Sequence, residues 1–371
     1  MYEPSGCTNM NATSQPLVSI VTPVYNEEDC LAECIESVLK QTYQNWDYTI
    51  VDNCSTDRSL EVARHYAARD PRIRVHENTR FLEMLANHNV AVRQISPASK
   101  YCKVLLADDW MYPECLEKMT AVAEMNSSVG VVSAYERFGE RVRLTGLPVS
   151  ETVVRGREAC RQFLLGALVL FGSQTSVLYR ADLLRTRDPF YVETDKYADF
   201  EACFALLQNS DLGFVHQVLT FSRPRSNSMG AISADIGAHF KSILGLIFTY
   251  GGNCLSREEY EHCLASNISS YYSFLGRRLW VERDRFFWAY HRATLTEAGV
   301  GFSRLRLAKA AVVALSDAAL SPQRTKERIK RLWSLAKVRS WDMRRMVIGS
   351  NVGSAEGPEP AEQARASKEL L

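Results

Sequence analysis

The sequence of 371 residues contains no apolar run of about twenty residues, the length that a helix needs to cross a bilayer. Its N-terminal stretch, MYEPSGCTNMNATSQP, has neither a basic start nor an apolar segment, so it does not have the pattern of a secretory signal. We therefore expect a cytoplasmic protein that touches the inner face of a membrane at most peripherally.

The sequence also lacks an excess of either charge. It contains 44 Lys and Arg residues against 43 Asp and Glu residues, which gives a formal net charge of +1. Proteins that bind the phosphate backbone usually carry a clear surplus of basic residues. We therefore expect no nucleic-acid partner. The hydrophobic fraction of 46% is enough for a large buried core.

A zinc-binding cysteine pattern is missing as well. The ten cysteines include no CxxC pair, and no histidine follows Cys30 and Cys34 at the spacing of a zinc site. Free thiols in a reducing compartment are the simpler interpretation.

What is present is an alternation of strand and helix patterns from Leu17 onwards. Pro23 ends the first predicted strand, and amphipathic segments separate it from the strands that follow. This order predicts an α/β fold with a mostly parallel sheet that helices flank on both faces. In such sheets ligands bind outside the carboxyl ends of the strands. The four predicted strands are LVSIVTPVY, WDYTIVDN, IRVHEN and YCKVLLADD.

Beyond Asp235 the alternation gives way to four helical patterns. We predict a disordered lead over residues 1–16, a catalytic domain over 17–235, a helical region over 236–348 and a disordered tail over 349–371.

Polar residues follow three of the predicted strands at the point where each strand ends. A buried carboxylate must be paired, neutralised or bound to a metal, so packing alone does not explain an adjacent acidic pair there. Hard divalent cations prefer oxygen ligands. The alternative is a pair of carboxylates that complements a helix dipole. The three sets are Tyr25, Asn26 and Glu27; Asp52 and Asn53; and Asp108 and Asp109.

Three segments in this order, VSIVTPVYNEE, IVDNCSTDRS and LLADDWMYPECLEKM, resemble the nucleotide-sugar-binding half of glycosyltransferase family 2. The resemblance covers Leu17 to Ser228. It implies a GT-A fold and an inverting transfer of sugar from a nucleotide-diphosphate sugar, UDP-sugar by default, to an acceptor hydroxyl. The acceptor would be a saccharide, a lipid-linked molecule or a protein, of the kind used in cell-envelope polysaccharide synthesis.

The resemblance also implies roles for individual residues. Asp108 and Asp109 would hold a divalent cation, Mn²⁺ or Mg²⁺, on the diphosphate. Many family members have a further Asp where this chain has Leu106, and a second Asp where it has Asn53. Arg80 is otherwise interpreted as a solvated surface arginine. The residues expected at the nucleotide are Pro23, Tyr25, Glu27, Asp52, Asn53, Arg80 and Asp108.

On the acceptor side, the resemblance makes Asp199 the general base, and Ala198 replaces the Glu that usually precedes it. The alternative for Asp199 is a helix N-cap, and Glu201 is its nearest competitor. Gln174 is expected on the sugar side of the pocket. Arg223 and Arg225 are expected near the diphosphate, unless they are surface residues of a Ser-rich loop.

The basic and apolar pattern of residues 322–346 has two interpretations, a solvated helix or a helix that contacts an anionic membrane surface. Two rival functions also remain. One is a degenerate nucleotide-sugar-binding module, which the departures at Leu106, Asn53 and Ala198 would allow. The other is a nucleotidyltransferase, which would be expected to have a Gly-rich phosphate loop where the chain has PVYNEED.

Overall fold

A computed structural model describes residues 15–194, 197–225, 236–280 and 282–320. The chain divides into two compact units, one ending at Ser266 and one beginning at Asn267. This division falls later than the boundary predicted at 235, because helical residues such as Leu246, Ile247 and Cys263 belong to the core of the first unit. The predicted lead up to residue 14, the tail over 349–371 and the basic segment 322–346 lie outside the described residues.

The first unit is built on one mixed sheet. The strands are β1 (Val18–Val24), β2 (Trp46–Asp52), β3 (Ile73–Glu77), β4 (Tyr101–Val104), β5 (Trp110–Met111), β6 (Val129–Phe138), β7 (Arg141–Arg143), β8 (Val153–Val154), β9 (Val177–Arg180) and β10 (Asp211–Ser222). Their order in the sheet is β3-β2-β1-β4-β9-β6-β10-β5, with β7 paired to β6 and β8 paired to β10. Strands β1 to β4 run parallel, as do β6 and β10, whereas β9 is antiparallel to both of its neighbours.

Helices cover both faces of this sheet, so the predicted α/β fold class is confirmed. The α-helices of the described residues are α1 (Leu31–Leu39), α2 (Ser59–Ala67), α3 (Met84–Arg93), α4 (Cys115–Met125), α5 (Gly156–Leu164), α6 (Ala181–Arg185), α7 (Ala198–Leu207), α8 (His239–Cys254), α9 (Arg257–Arg278), α10 (Arg285–Glu297) and α11 (Arg304–Leu320). The last four match the helical patterns predicted after Asp235. None of the helices in the described ranges is long and apolar enough to cross a membrane.

Two strand predictions were wrong at their ends. β1 continues through Pro23 to Val24, because its pairing with β4 has already ended at Val21 and no bond on that side needs the missing N–H. β4 ends at Val104, and the acidic pair lies in and directly after a turn at Ala107 and Asp108. The two residues after that pair form β5, a short strand that pattern analysis missed because only pairing with β10 creates it.

The sheet places the carboxyl ends of β1, β2 and β4 side by side. The chain moves from β1 outwards to β2 and β3, then returns to place β4 on the other side of β1. Such a change of direction opens a crevice at the carboxyl ends of the central strands. The polar sets predicted from the sequence all lie at this edge.

Candidate active site

The loops after β1 and β2 are fastened to each other by side-chain hydrogen bonds. Asn26, which adopts a positive φ of 54°, accepts a bond from the Thr56 backbone N–H at 2.8 Å. The Glu27 backbone N–H donates to Ser59 Oγ at 2.7 Å. Asn tolerates the left-handed region better than most residues because its short side chain bonds locally. These bonds fix where Tyr25 and Glu27 stand at the edge of the sheet.

Asp52 and Asn53 end β2 in very different surroundings, although both are nearly fully buried. Asp52 accepts one bond from the Ser55 N–H at 3.1 Å, and no partner is seen for its buried Oδ1 within the described ranges. The Asn53 amide donates to Leu82 O at 2.8 Å, and its oxygen accepts from Leu82 N at 2.9 Å. Asn53 therefore holds the loop that precedes α3. Its amide is engaged with the protein, and direct contact with a nucleotide base stays a prediction.

An aromatic pair stands beside this strand end. The rings of Tyr25 and Phe81 meet edge to face, with centroids 4.9 Å apart, and Phe81 is 43% exposed. Arg80 precedes Phe81 in the loop before α3 and is exposed, and its contact with a nucleotide stays a prediction. A planar ligand ring could stack on this half-exposed aromatic pair, with the positive charge of Arg80 nearby.

The acidic pair after β4 consists of one accessible and one enclosed carboxylate. Asp108 is partly exposed, whereas Asp109 is only 3% exposed. Asp109 accepts hydrogen bonds from Thr175 Oγ1 at 2.6 Å, from Ser222 Oγ at 3.0 Å and from the Arg223 backbone N–H at 3.1 Å. Burial and the adjacent charge of Asp108 raise the pKa of Asp109 to about 7.

Arg223 and Arg225 return to this acidic pair from the end of β10. The Arg225 guanidinium makes a bidentate contact with Glu27, at 2.9 and 2.6 Å, and its Nε lies 3.5 Å from Asp108 Oδ2. Arg223 donates from Nε to the backbone oxygen of Asp108 at 3.3 Å and pairs with Glu33. These contacts place both arginines beside the acidic pair, and their predicted position near a diphosphate stays a prediction.

Several residues of this site were missed by sequence reasoning. Glu136, on β6, is 1% exposed. Its Oε1 lies 2.6 Å from Ser222 Oγ, the hydroxyl that also contacts Asp109. Lys103, on β4, is fully buried and donates to the backbone oxygens of Thr175 and Val177. A lone lysine inside the apolar run CKVLLA was a usable signal, because a buried ammonium group requires buried acceptors. Glu136 gave no comparable signal at the end of its strand.

Gln174 is buried in a single 3₁₀ turn over Gln174–Ser176. Its side-chain oxygen lies 3.0 Å from His88 Nδ1, and burial lowers the pKa of His88 to about 4. The neighbouring Thr175 carries the hydroxyl that reaches Asp109, so this turn adjoins the acidic pair. Contact of Gln174 with a sugar stays a prediction.

Asp199 and Glu201 both lie in the first turn of α7, but their oxygens have different partners. Asp199 Oδ1 accepts a hydrogen bond from the Phe200 backbone N–H at 3.0 Å. Glu201 accepts from Arg187 at 2.5 Å through one oxygen and from the Tyr250 hydroxyl at 2.6 Å through the other. Asp199 is half-buried, and Tyr197 rather than Asp199 occupies the N-cap position. The N-cap alternative for Asp199 is therefore wrong, and its role as general base stays a prediction.

Comparison with known proteins identifies the fold and family. The model of the family described as "Glycosyl transferase family 2" matches residues 19–187. Residues 19–187 are a glycosyl transferase family 2 domain. The family predicted from the three motifs is thus confirmed, and the match contains the strand ends of β1, β2 and β4 together with the turn at Gln174.

Relatives and solved structures are also similar to this chain. The putative glycosyltransferase EpsE of Bacillus subtilis is 32% identical over 154 residues, which are 40% of this chain and 55% of EpsE. Residues 1–349 of S. aureus TarS, in complex with UDP-GlcNAc, match with a TM-score of 0.57 and 19% identity, over 81% of this chain and 88% of that one. The mannosyltransferase PcManGT of Pyrobaculum calidifontis, in complex with GDP-Man and Mn²⁺, gives a TM-score of 0.53 at 16% identity, over 89% and 88%.

The matches cover only part of EpsE, and the two solved structures share little sequence identity with this chain. The chain spans little more than half the length of EpsE, and the family model matches no residue of this chain beyond 187. The two structural matches are below one quarter in identity, so they show the shared GT-A-type fold. They confirm a sheet flanked by helices and followed by a helical region.

Proposed function

We propose that this protein is an inverting glycosyltransferase that moves a sugar from a nucleotide-diphosphate sugar to an acceptor hydroxyl with the help of a divalent cation. The observation that carries the proposal is the meeting of opposite charges at the end of β4. Asp108 and Asp109, which follow β4, lie beside Arg223 and Arg225, which follow β10. This combination of charges suits a diphosphate together with its cation.

The carboxylates at this place fit a hard cation whose remaining ligands come from the donor. The described ranges contain no cluster of three His, Cys, Asp or Glu side chains with metal-binding geometry. Mg²⁺ commonly takes only one or two carboxylates from a protein and the rest from phosphates and water. Asp108 has an accessible carboxylate, and Asp109 has one oxygen that accepts only a single bond. When bound, the cation would stabilise negative charge on the leaving diphosphate.

The arginines supply the complementary charge. Arg225 contacts the carboxyl groups of Glu27 and Asp108. A diphosphate that enters with its cation offers Arg225 a planar pair of oxygens of the kind that guanidinium groups bind. Arg223 is fixed by its own backbone bond to Asp109, so its side chain stays close to the same place.

The nucleotide would lie between the ends of β1 and β2. Tyr25 and Phe81 offer aromatic surface for the base, and the buried Asp52 beside them is a charged acceptor for ribose or base. UDP is our default because TarS is solved with UDP-GlcNAc and with UDP. PcManGT, solved with GDP-Man and Mn²⁺, gives the alternative nucleotide and supports the cation.

Asp199 is the base in this proposal. An acceptor hydroxyl becomes nucleophilic only if its proton has an acceptor within hydrogen-bond reach. Asp199 opens α7, whereas Glu201 is bound by Arg187 and Tyr250 and is not available for the same task. The acceptor we expect is a saccharide, a lipid-linked molecule or a protein.

The decisive experiment uses the full chain with a panel of nucleotide sugars. We expect UDP-sugars to raise the melting temperature only when Mn²⁺ or Mg²⁺ is present, because a ligand of the native state adds to its stability. Asp108→Asn should abolish this dependence on the cation, and Asp52→Ala should weaken nucleoside diphosphate binding by about 1.5–3 kcal/mol.

The same panel is then tested for turnover. Release of nucleotide diphosphate with transfer to an added acceptor supports the proposal. Binding without hydrolysis or transfer on any acceptor tested would support a non-catalytic binding module instead. Full transfer after exhaustive chelation would contradict the role of the cation.

A further inference from the structure

A second concave surface lies at the edge of the sheet opposite to the candidate active site. Its cavity, of about 820 Å³, adjoins Ser128 and Asp211 at the starts of β6 and β10, whereas the acidic pair adjoins the end of β10. The start of α5, the end of α7 and Cys254 at the end of α8 complete its lining. The charged lining residues are Arg155, Arg157, Glu158 and Asp211.

Two thiols meet beside this cavity. Gln208, which directly follows α7, places its Nε2 3.7 Å from Cys254 Sγ and 3.9 Å from Cys160 Sγ. Cys160 lies in α5 and is buried, whereas Cys254 is partly exposed and lines the cavity. Both sulfur atoms therefore contact the same amide nitrogen. One glutamine therefore holds together thiols from helices that are far apart in the chain.

The surroundings of Cys254 favour its thiolate. The hydrogen bond from Cys160, the bond from Gln208 and the charge of Arg157 lower the pKa of Cys254 to about 7, against the effect of burial. The hydrogen bond to Cys254 and burial raise the pKa of Cys160, which keeps that thiol protonated. A nucleophilic thiol is thus paired with a protonated thiol as neighbour.

The chain contains its own comparison for this thiol. Within the described ranges only Cys54 and Cys254 are partly exposed, and the other seven free cysteines are buried. Cys54 donates to Asn78 O at 3.2 Å, and burial together with the charge of Asp52 raises its pKa. Cys54 and Cys254 are therefore both partly exposed, but their surroundings shift their pKa values in opposite directions.

We propose that Cys254 is a reactive thiol that a peroxide oxidises, and that Cys160 resolves the product to a disulfide. The Cys254 thiolate attacks one peroxide oxygen, the O–O bond breaks, and the released hydroxide takes up a proton to form water. Cys254 is then a sulfenic acid. The Cys160 thiol attacks its sulfur, the S–S bond forms, the S–O bond breaks, and a second water leaves with the thiol proton.

The first test compares the two partly exposed thiols in the wild-type chain. We expect iodoacetamide at neutral pH to alkylate Cys254 at least about tenfold faster than Cys54, because reactivity follows the thiolate fraction. Peptide mass spectrometry of timed samples gives both rates from one reaction. Equal rates, or faster labelling of Cys54, would overturn the assignment.

The second test adds hydrogen peroxide to the full chain. We expect a Cys160–Cys254 cross-linked peptide that disappears on treatment with dithiothreitol. C160S should stop at a sulfenic acid that dimedone traps on Cys254, and C115S, which removes a thiol buried against the other face of the sheet, should still form the cross-link. Peroxide that leaves both thiols free, or links Cys254 to another cysteine, would refute the pairing. The wild-type arms remain decisive if a variant fails to fold.

Discussion

At the scale of single residues, two carboxylates at the start of α7 illustrate how surroundings separate a reactive group from a structural one. Glu201 is engaged through both oxygens by Arg187 and Tyr250, and its side chain is only 16% exposed. Asp199, two residues earlier, is half-buried and accepts a hydrogen bond from the Phe200 backbone N–H at 3.0 Å. We therefore propose Asp199, rather than Glu201, as the proton acceptor of the proposed inverting transfer.

We predict that Asp199→Asn lowers the rate of sugar transfer by about 10²–10⁴-fold, the usual contribution of a positioned base, with donor binding little changed. The amide keeps the shape of the side chain but cannot take the proton. Glu201→Gln is the matched control and should lower the melting temperature while reducing transfer much less. Rates are measured under saturating donor, and near-parental transfer by Asp199→Asn would remove it from the mechanism.

Asp109 gives a prediction about pH. Its pKa is about 7 in the folded protein, whereas an aspartate in an unfolded chain has a pKa of about 3.9. Between these values the folded state holds a proton that the unfolded state has lost, so the contribution of Asp109 to the free energy of unfolding falls as pH rises.

We therefore expect the free energy of unfolding of the wild type, relative to Asp109→Asn, to decrease between about pH 4 and about pH 7 without added cation. Urea denaturation of both proteins at intervals across this range measures the difference. Subtracting the variant removes the effect of other carboxylates, such as Glu259, whose pKa is lowered to about 2 by Arg161. A difference that stays constant or increases with pH would contradict this account of Asp109.

At the scale of elements, the start of α5 depends on a close approach between backbones. A Cβ added to Gly156 would lie 2.0 Å from Ser210 O and 2.2 Å from Leu207 O, both of which belong to the end of α7 and the loop after it. Backbone atoms cannot give way as the end of a flexible side chain can. The absence of a side chain at Gly156 is thus what allows α5 to begin beside α7.

We predict that Gly156→Ala lowers the free energy of unfolding by about 1–3 kcal/mol, the usual cost of overpacking, or prevents folding. Gly245→Ala is the control, because Gly245 lies on the exposed face of α8 with no atom within 4 Å of a new Cβ. That substitution should raise stability by about 0.5–1 kcal/mol through helix propensity. Thermal and urea unfolding measure both, and similar effects of the two substitutions would disprove the close approach.

At the scale of the whole molecule, the charge pattern beyond α11 raises the question of which surface the protein contacts. Residues 322–346 lie outside the described part, and their sequence combines basic side chains with Ile329, Leu332 and Trp333. An amphipathic basic segment binds anionic surfaces through both charge and apolar contact. This interpretation competes with an ordinary solvated helix.

We predict that the full chain binds vesicles containing an anionic lipid and that added salt weakens the binding, since screening reduces the attraction. A truncation that ends at Leu320 is the control and should remain unbound. Cosedimentation with vesicles of neutral and of anionic composition measures both proteins. Equal partition of the two proteins would favour a solvated segment.

The sequence by itself determined the sheet, the family and the edge at which the site lies. The strand–helix alternation predicts parallel strands, and their carboxyl ends must then share an edge, which brings Asp52 and Asp108 to one side. The four helices after Asp235 could be predicted from the helical spacing of their apolar residues alone. These features depend on neighbours within a turn or a strand, so a local pattern carries them.

The tertiary structure alone decided which polar groups are available and which are engaged. Arg225 reaches Glu27 across 198 residues, and Ser222 reaches Asp109 across 113, because β10 inserts between β6 and the short β5. The engagement of Asn53 with Leu82 likewise depends on how a loop packs, not on its composition. Periodicity records which face of an element is buried, but it does not record which distant side chain supplies the partner for a buried charge.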